Sequence, residues 1–162
     1  MDQLQDYIQS ITPSNKEYPA KALDHWDHLT HPIGSLGMLE EMTIKLAAIQ
    51  ETKIPKIDKK SIIVMCSDNG IFDEDISSSP QVFTQLLANN MARGFTGVCS
   101  TADYAGSEVE VVDIGMVDTM ERNEGIRCCP VNHGTKNFYK EPAMTREEVI
   151  EGLNIGIKIA EE

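Results

Sequence analysis

Basic residues are scarce in this chain. Lys and Arg number 14 against 26 Asp and Glu, for a formal net charge of -12, which excludes sequence-independent attraction to phosphate backbones or anionic lipid. Nucleic acid and membrane are therefore not expected as partners. Long apolar runs are missing too. No segment approaches membrane-spanning length, and the start of the chain, with Asp2, Gln3 and Asp6, lacks the basic residues and apolar stretch of a signal peptide. A cytoplasmic location is expected.

Cys66, Cys99, Cys128 and Cys129 show no CxxC spacing, so reduced thiols are expected, and loop packing is favoured over redox chemistry for the adjacent Cys128-Cys129 pair. Neither GxGxxG nor GxxxxGK[ST] occurs, which excludes an ordinary dinucleotide or P-loop enzyme. No fixed-period repeat and no low-complexity segment is visible.

What is present is enough for a core, with 162 residues of which 41% are hydrophobic. The clearest strand signal is Ile62 to Cys66, an unbroken apolar run that stops at Asp68-Asn69-Gly70. A run without alternation predicts a parallel strand buried on both faces. Ser79-Pro80 offers an N-cap and a first-turn proline, and Val82, Phe83, Leu86, Leu87 and Met91 recur at helical spacing until Gly94. Thr96 to Ala105 predicts a second helix closed by Gly106, and Glu108 to Ile114 a second strand. Strand, helices and strand make one βαβ unit.

A weaker strand is expected around Ile126 to Val131. Thr145 and Glu148 form a capping box, followed by an apolar stripe of Val149, Ile150, Leu153, Ile157 and Ala160. That stripe needs a sheet to cover, and so few strands leave the sheet small, so further strands are expected downstream. Left uncovered, the stripe predicts oligomerisation or aggregation. Upstream the pattern is helical, with Leu4, Ile8 and Ile11, then Tyr18, Leu23, Trp26 and Leu29, then Leu39, Met42, Leu46 and Ile49 after a turn at HPIGSLG. The expected fold class is α/β, a parallel sheet wrapped by helices and preceded by an N-terminal helical segment, the first part of a larger fold. Its parts would be residues 1–55, a helical segment belonging to a small domain, and residues 56–162, an incomplete α/β domain.

Ligands of open parallel sheets bind beyond the carboxyl ends of the strands, which places Asp68, Asn69, Gly70, Asp113 and Gly115 on one rim. The competing reading is local, because Asp and Asn also end strands by bonding turn backbone. A receiver-type module with Asp68 or Asp113 as phosphoacceptor fits the topology, but nothing marks either as a nucleophile. His25 and His28 would share a helix face as metal ligands, yet Pro32 ends the helix before His31 joins them. No metal site and no cofactor is assigned.

Five blocks in order, LTHPIGSLGMLEE, VMCSDNGIFDE, SPQVFTQLLANNMARGFTGVC, VEVVDIGM and HGTKNFYKEPAMTREE, resemble the nicotinate-nucleotide:dimethylbenzimidazole phosphoribosyltransferase family. Together they span roughly residues 29 to 148. The resemblance implies a cytoplasmic, homodimeric enzyme of cobalamin nucleotide-loop synthesis. It would move phosphoribose from nicotinate mononucleotide onto 5,6-dimethylbenzimidazole, giving α-ribazole phosphate and nicotinate. It also implies that the general base, a late Glu, and the glycine-rich phosphate loop lie downstream, so no catalytic residue falls within this chain and residues 1–162 alone would be inactive.

On the same resemblance, Ser79 matches a residue near the bound base, with Phe83 and Leu87 on the same helix face, and Thr135 falls in a turn near the site; Asp68, Asn69 and Asp113, from the strand rim, complete the expected substrate-binding set. For Phe83 and Leu87 core packing is the favoured reading, and Ser79 is expected to cap the helix whether or not it also meets the base. Leu87 stands where the best-known members carry Gln, Asn69 where they carry His, and His133 where Arg often precedes Gly-Thr. A Leu in place of the amide makes the pocket more apolar, so benzimidazoles without polar substituents, or phenolic bases, are alternative acceptors. A non-catalytic base-binding or partner-binding relative is the second reading.

Overall fold

A computed structural model describes residues 2–162, with side chains from Leu4 onward. The chain divides into two compact units, Asp6–Asp58 and Lys59–Glu162 together with Met1–Gln5. Helix α1, Asp2–Ser10, contains one of the division points.

In the first unit, α2 (Glu17–Asp27) and α3 (Met38–Gln50) pack on each other. Their contact uses small and polar residues: Ala22, Ala47 and Ala48 are buried, and Trp26 Nε1 donates to Thr43 Oγ1 at 2.8 Å. The apolar stripe expected on α3 faces outward instead, with Leu39, Met42 and Ile49 exposed. Alanines allow two helices to approach closely, and Glu40 is held inside by accepting the Leu36 backbone N–H at 3.0 Å.

The second unit carries β1 (Ser61–Ser67), a 3₁₀ turn (Gly70–Glu74), α4 (Val82–Ala92), α5 (Gly97–Ala105), β2 (Glu108–Gly115), β3 (Ile126–Cys128) and α6 (Arg146–Glu161). Its three strands are parallel in the order β1-β2-β3. The βαβ unit forms as expected, and Gly106 closes α5 in the left-handed region at φ 62°. The core under α4 is Cys66, Ala88, Val111, Met116 and Ile126, with Val64, Met91, Ala92 and Val109 against it. No helix among the described residues is long and apolar enough to cross a membrane.

Four expectations need correction. Burial on both faces belongs to β2, where Val111 and Val112 are both buried, and not to β1, where Ile63 and Met65 are exposed. β1 is an edge strand, and only its Val64 and Cys66 face packs toward α4. Ser79 does not cap α4. The helix begins at Val82 without a side-chain cap, because Pro80 and Gln81 first form a turn whose carbonyls accept from Phe83 and Thr84 N–H.

The inward face of α4 is Gln85, Ala88 and Asn89, while Phe83, Leu86 and Leu87 point out. On α6 the capping box forms, with Thr145 Oγ1 accepting the Glu148 N–H and Glu148 Oε2 accepting the Thr145 N–H. Its packed side is one residue out of step with the expected stripe: Ile159 is buried, whereas Val149 and Leu153 are 44% and 49% exposed. Gly152 lies on the packed side, with Val131 Cγ2 3.8 Å from where a Cβ would stand, an ordinary van der Waals contact.

Candidate functional site

Two clefts open at the carboxyl ends of β1 and β2, sharing Ser67 and Asp68 as a common wall. The larger, about 370 Å³, lies between the 3₁₀ turn and α4 and is lined by Asp68, Asn69, Phe72, Ile76, Ser79, Phe83, Thr84 and Leu87 among others. The smaller, about 100 Å³, lies between the β2 terminus and α6, against Gly115, Asn132, Gly134, Thr135, Glu148 and Gly152.

Asp68 sits at the junction and is 5% exposed. Its backbone continues the ladder, donating to the Gly115 carbonyl at 3.0 Å and accepting from Thr135 N–H at 3.0 Å. Thr84 Oγ1 donates to its Oδ1 at 2.6 Å, and Val117 N–H donates to Oδ2 at 2.8 Å. One carboxylate thus ties β1, α4 and the segment after β2 together.

Asp113, although on the same rim, lines neither cleft. Its side chain is fully buried, with Oδ1 accepting from Gly115 N–H at 3.0 Å and Met116 N–H at 2.8 Å, and Oδ2 lying 3.0 Å from Arg122 Nη2. That is the turn-closing arrangement that competes with the binding reading. Arg122 also pairs with Asp118, which in turn lies 3.3 Å from His133 Nδ1. Of the remaining candidates, Asp68, Asn69, Ser79, Phe83 and Leu87 share the larger cleft, and Thr135 lies on the smaller one.

Phe83 and Leu87 are 44% and 49% exposed, so core packing does not account for them. Four-residue spacing aligns them on the outer face of α4, above the cleft. The inner face explains why. Gln85 is fully buried, its Oε1 accepting from Thr119 N–H, Thr119 Oγ1 and Met120 N–H while its Nε2 donates to the Met120 carbonyl at 2.6 Å. Asn89, one turn on, donates to the Glu121 carbonyl and accepts from Asn123 N–H. These two amides hold the 119–123 segment to the helix.

Sequence reading missed Gln85, Asn89, Thr84 and Phe72. Gln85 and Asn89, spaced i to i+4, share the inward face of α4, but their partners lie more than 30 residues away, so nothing local set them apart from surface amides.

The loop carrying Thr135 is anchored from several sides. Gly134 adopts φ 84° and donates to the Gly115 carbonyl, and Thr135 Oγ1 accepts the Gly70 N–H at 3.3 Å. Asn137 Nδ2 donates to Glu74 Oε1 at 2.6 Å, and Lys140 Nζ lies 2.8 Å from the same oxygen. Lys140 and Asn137 hold the Glu74 carboxyl below its ordinary pKa. In the first unit, His28 Nδ1 lies 2.6 Å from the Asp24 carbonyl and His31 Nδ1 2.8 Å from that of Pro32. No group of three His, Cys, Asp or Glu among the described residues is arranged to hold a metal.

A family model described as "Phosphoribosyltransferase" matches residues 11–162. A nicotinate-nucleotide--dimethylbenzimidazole phosphoribosyltransferase of Acetivibrio thermocellus is 46% identical over 155 residues, covering 96% of this chain and 44% of that protein. The protein of the same name from Alkaliphilus metalliredigens is 38% identical over 162 residues, 100% of this chain and 46% of its own length. The crystal structure of CobT from Thermus thermophilus superposes with a TM-score of 0.83 at 34% identity, covering 90% of this chain and 44% of that one. The chain thus spans a little under half the length of these relatives. A match that runs from residue 11 to the last residue, on a fold shared at that level, means that the chain belongs to the phosphoribosyltransferase family.

Proposed function

We propose that this chain supplies the acceptor-base site of an enzyme transferring phosphoribose from nicotinate mononucleotide to 5,6-dimethylbenzimidazole or a related flat base. The products are α-ribazole phosphate and nicotinate. The observation that carries the reading is the orientation of α4, which turns Phe83 and Leu87 out of the core to face Phe72 and Ile76 across a cleft of about 370 Å³. Large apolar side chains, Phe72, Ile76, Phe83 and Leu87, interspersed with polar groups such as Asp68, Asn69, Ser79 and Thr84, suit a planar heteroaromatic ring. The names of the relatives supply the substrates.

Transfer requires an aromatic ring nitrogen to lie in line with the anomeric carbon while nicotinate departs, so holding the ring in one plane removes much of the orientational cost. In this reading residues 1–162 bind and orient the base, and a carboxylate outside them takes the proton. The enzyme works as a homodimer in the cytoplasm, where thiols such as Cys128 and Cys129 stay reduced.

A chimera in which this chain replaces the matching 44% of the Acetivibrio thermocellus relative tests the proposal. Nicotinate release on addition of nicotinate mononucleotide and 5,6-dimethylbenzimidazole is expected. A folded chimera that releases none with any benzimidazole or phenol overturns it.

A further inference from the structure

One wall of the larger cleft is not held by core packing. It is the segment that carries Phe72 and Ile76, in which no residue of the 3₁₀ turn is buried and Ile76 is exposed. The turn does not hold itself either. Asp75, directly after it, adopts φ 52°, in the left-handed region that a residue other than glycine enters at a cost. The turn is instead tied to a distant loop at its two ends. Gly70 N–H donates to Thr135 Oγ1 at 3.3 Å, and Glu74 Oε1 accepts from Asn137 Nδ2 at 2.6 Å.

Asn137 meets both ends. It is buried, and its backbone N lies 2.7 Å from where a Gly70 Cβ would stand. Its Oδ1 is taken by the Tyr139 N–H at 3.0 Å, which fixes the amide in one orientation and aims its NH₂ at the Glu74 carboxylate. Lys140 Nζ lies 2.8 Å from the same oxygen, but as a largely exposed ion pair it adds little. Glu74 itself lines neither cleft.

We infer that Glu74 is a positioning residue for the acceptor base: held by Asn137, it fixes the Phe72–Ile76 wall opposite Phe83 and Leu87 without meeting the ring. The inference rests on the base-site reading above. A wall already in place spares the ring the cost of ordering it, so cutting the tie weakens binding even where the fold survives. The accepting oxygen carries the role, and the charge does not.

Calorimetric titration of the chain with 5,6-dimethylbenzimidazole, beside urea unfolding of each variant, tests this. Glu74→Ala should weaken binding about tenfold, whereas Glu74→Gln, which keeps the accepting oxygen, should bind like the unsubstituted chain. Should Glu74→Ala fail to fold, Asn137→Asp carries the test. It keeps the acceptor for Tyr139 N–H but sets a second carboxylate against Glu74, and should also weaken binding about tenfold. Adding Glu74→Gln to it reverses donor and acceptor and should restore the affinity. Ile159→Val, a loss of buried volume on α6 away from both clefts, should lower the urea midpoint and leave the dissociation constant unmoved.

The inference falls, and the base-site reading stands, if Glu74→Ala or Asn137→Asp binds the ring as tightly as the unsubstituted chain. It falls equally if Glu74→Gln fails to keep or restore binding, or if Ile159→Val weakens binding as much as they do. If the unsubstituted chain does not bind the ring, both fall.

Discussion

Gly70 and Thr135 stand so close that a side chain at position 70 has no place. A Cβ built there would lie 2.6 Å from the Thr135 carbonyl oxygen and 2.7 Å from Asn137 N, both backbone atoms that cannot turn aside. This approach joins the turn after β1 to the loop after β3, and the Gly70 N–H donates to Thr135 Oγ1 across it. Gly70→Ala should cost about 1–3 kcal/mol through forced backbone displacement. The urea midpoint measures the cost, and an unchanged midpoint would show that the loop yields freely.

Gln85 acts as a piece of backbone. Replacing it by Leu keeps the volume but strips partners from Thr119 N–H, Met120 N–H and the Met120 carbonyl. Each buried group left unsatisfied costs about 1–3 kcal/mol. Thermal unfolding of Gln85→Leu should therefore fall well below that of Leu86→Ala, a truncation of the larger apolar side chain next door. Equal melting temperatures would remove the structural role given to the amide.

Phe83 separates binding from stability. A core Phe→Ala change costs about 3–5 kcal/mol, whereas Phe83, 44% exposed on the cleft, should cost under about 1 kcal/mol on truncation. Binding of 5,6-dimethylbenzimidazole should weaken strongly in the same variant. A large drop in stability would return Phe83 to the core.

Acid should loosen α6 from its N-terminus. Thr145 N–H first, and then the Asn132 amide, hold the Glu148 carboxyl below its ordinary pKa. A depressed folded pKa gives stability that is present above the unfolded value and lost as pH falls through the folded one. Chemical denaturation of the chain and of Glu148→Ala should differ at neutral pH, with the gap closing on acidification below the ordinary carboxylate range. A gap that is independent of pH would mean that the charge contributes nothing.

Much of the second unit could be read directly from residue order. The α5 and β2 spans, the Gly106 stop and the Thr145–Glu148 capping box depend on contacts within a few residues, and all appear where expected. Helix faces were less legible. Apolar spacing marks a stripe but does not say which stripe meets the core, and on α3, α4 and α6 the packed side includes Glu40, Gln85, Asn89 and Gly152. A buried amide satisfied by distant backbone looks like a surface residue until its partner is known.

The site divides in the same way. That Asp68, Asn69, Asp113 and Gly115 share a rim follows from strand ends in a parallel sheet, and the order of residues alone determines it. Which of them faces a cleft was decided only in three dimensions. Asp113 is drawn inward by Gly115 N–H, Met116 N–H and Arg122, while Asp68 is held between two clefts by Thr84 and Val117, 16 and 49 residues away. Local rules fix where a chain turns, but the direction of a polar side chain depends on donors that only the folded chain brings within reach.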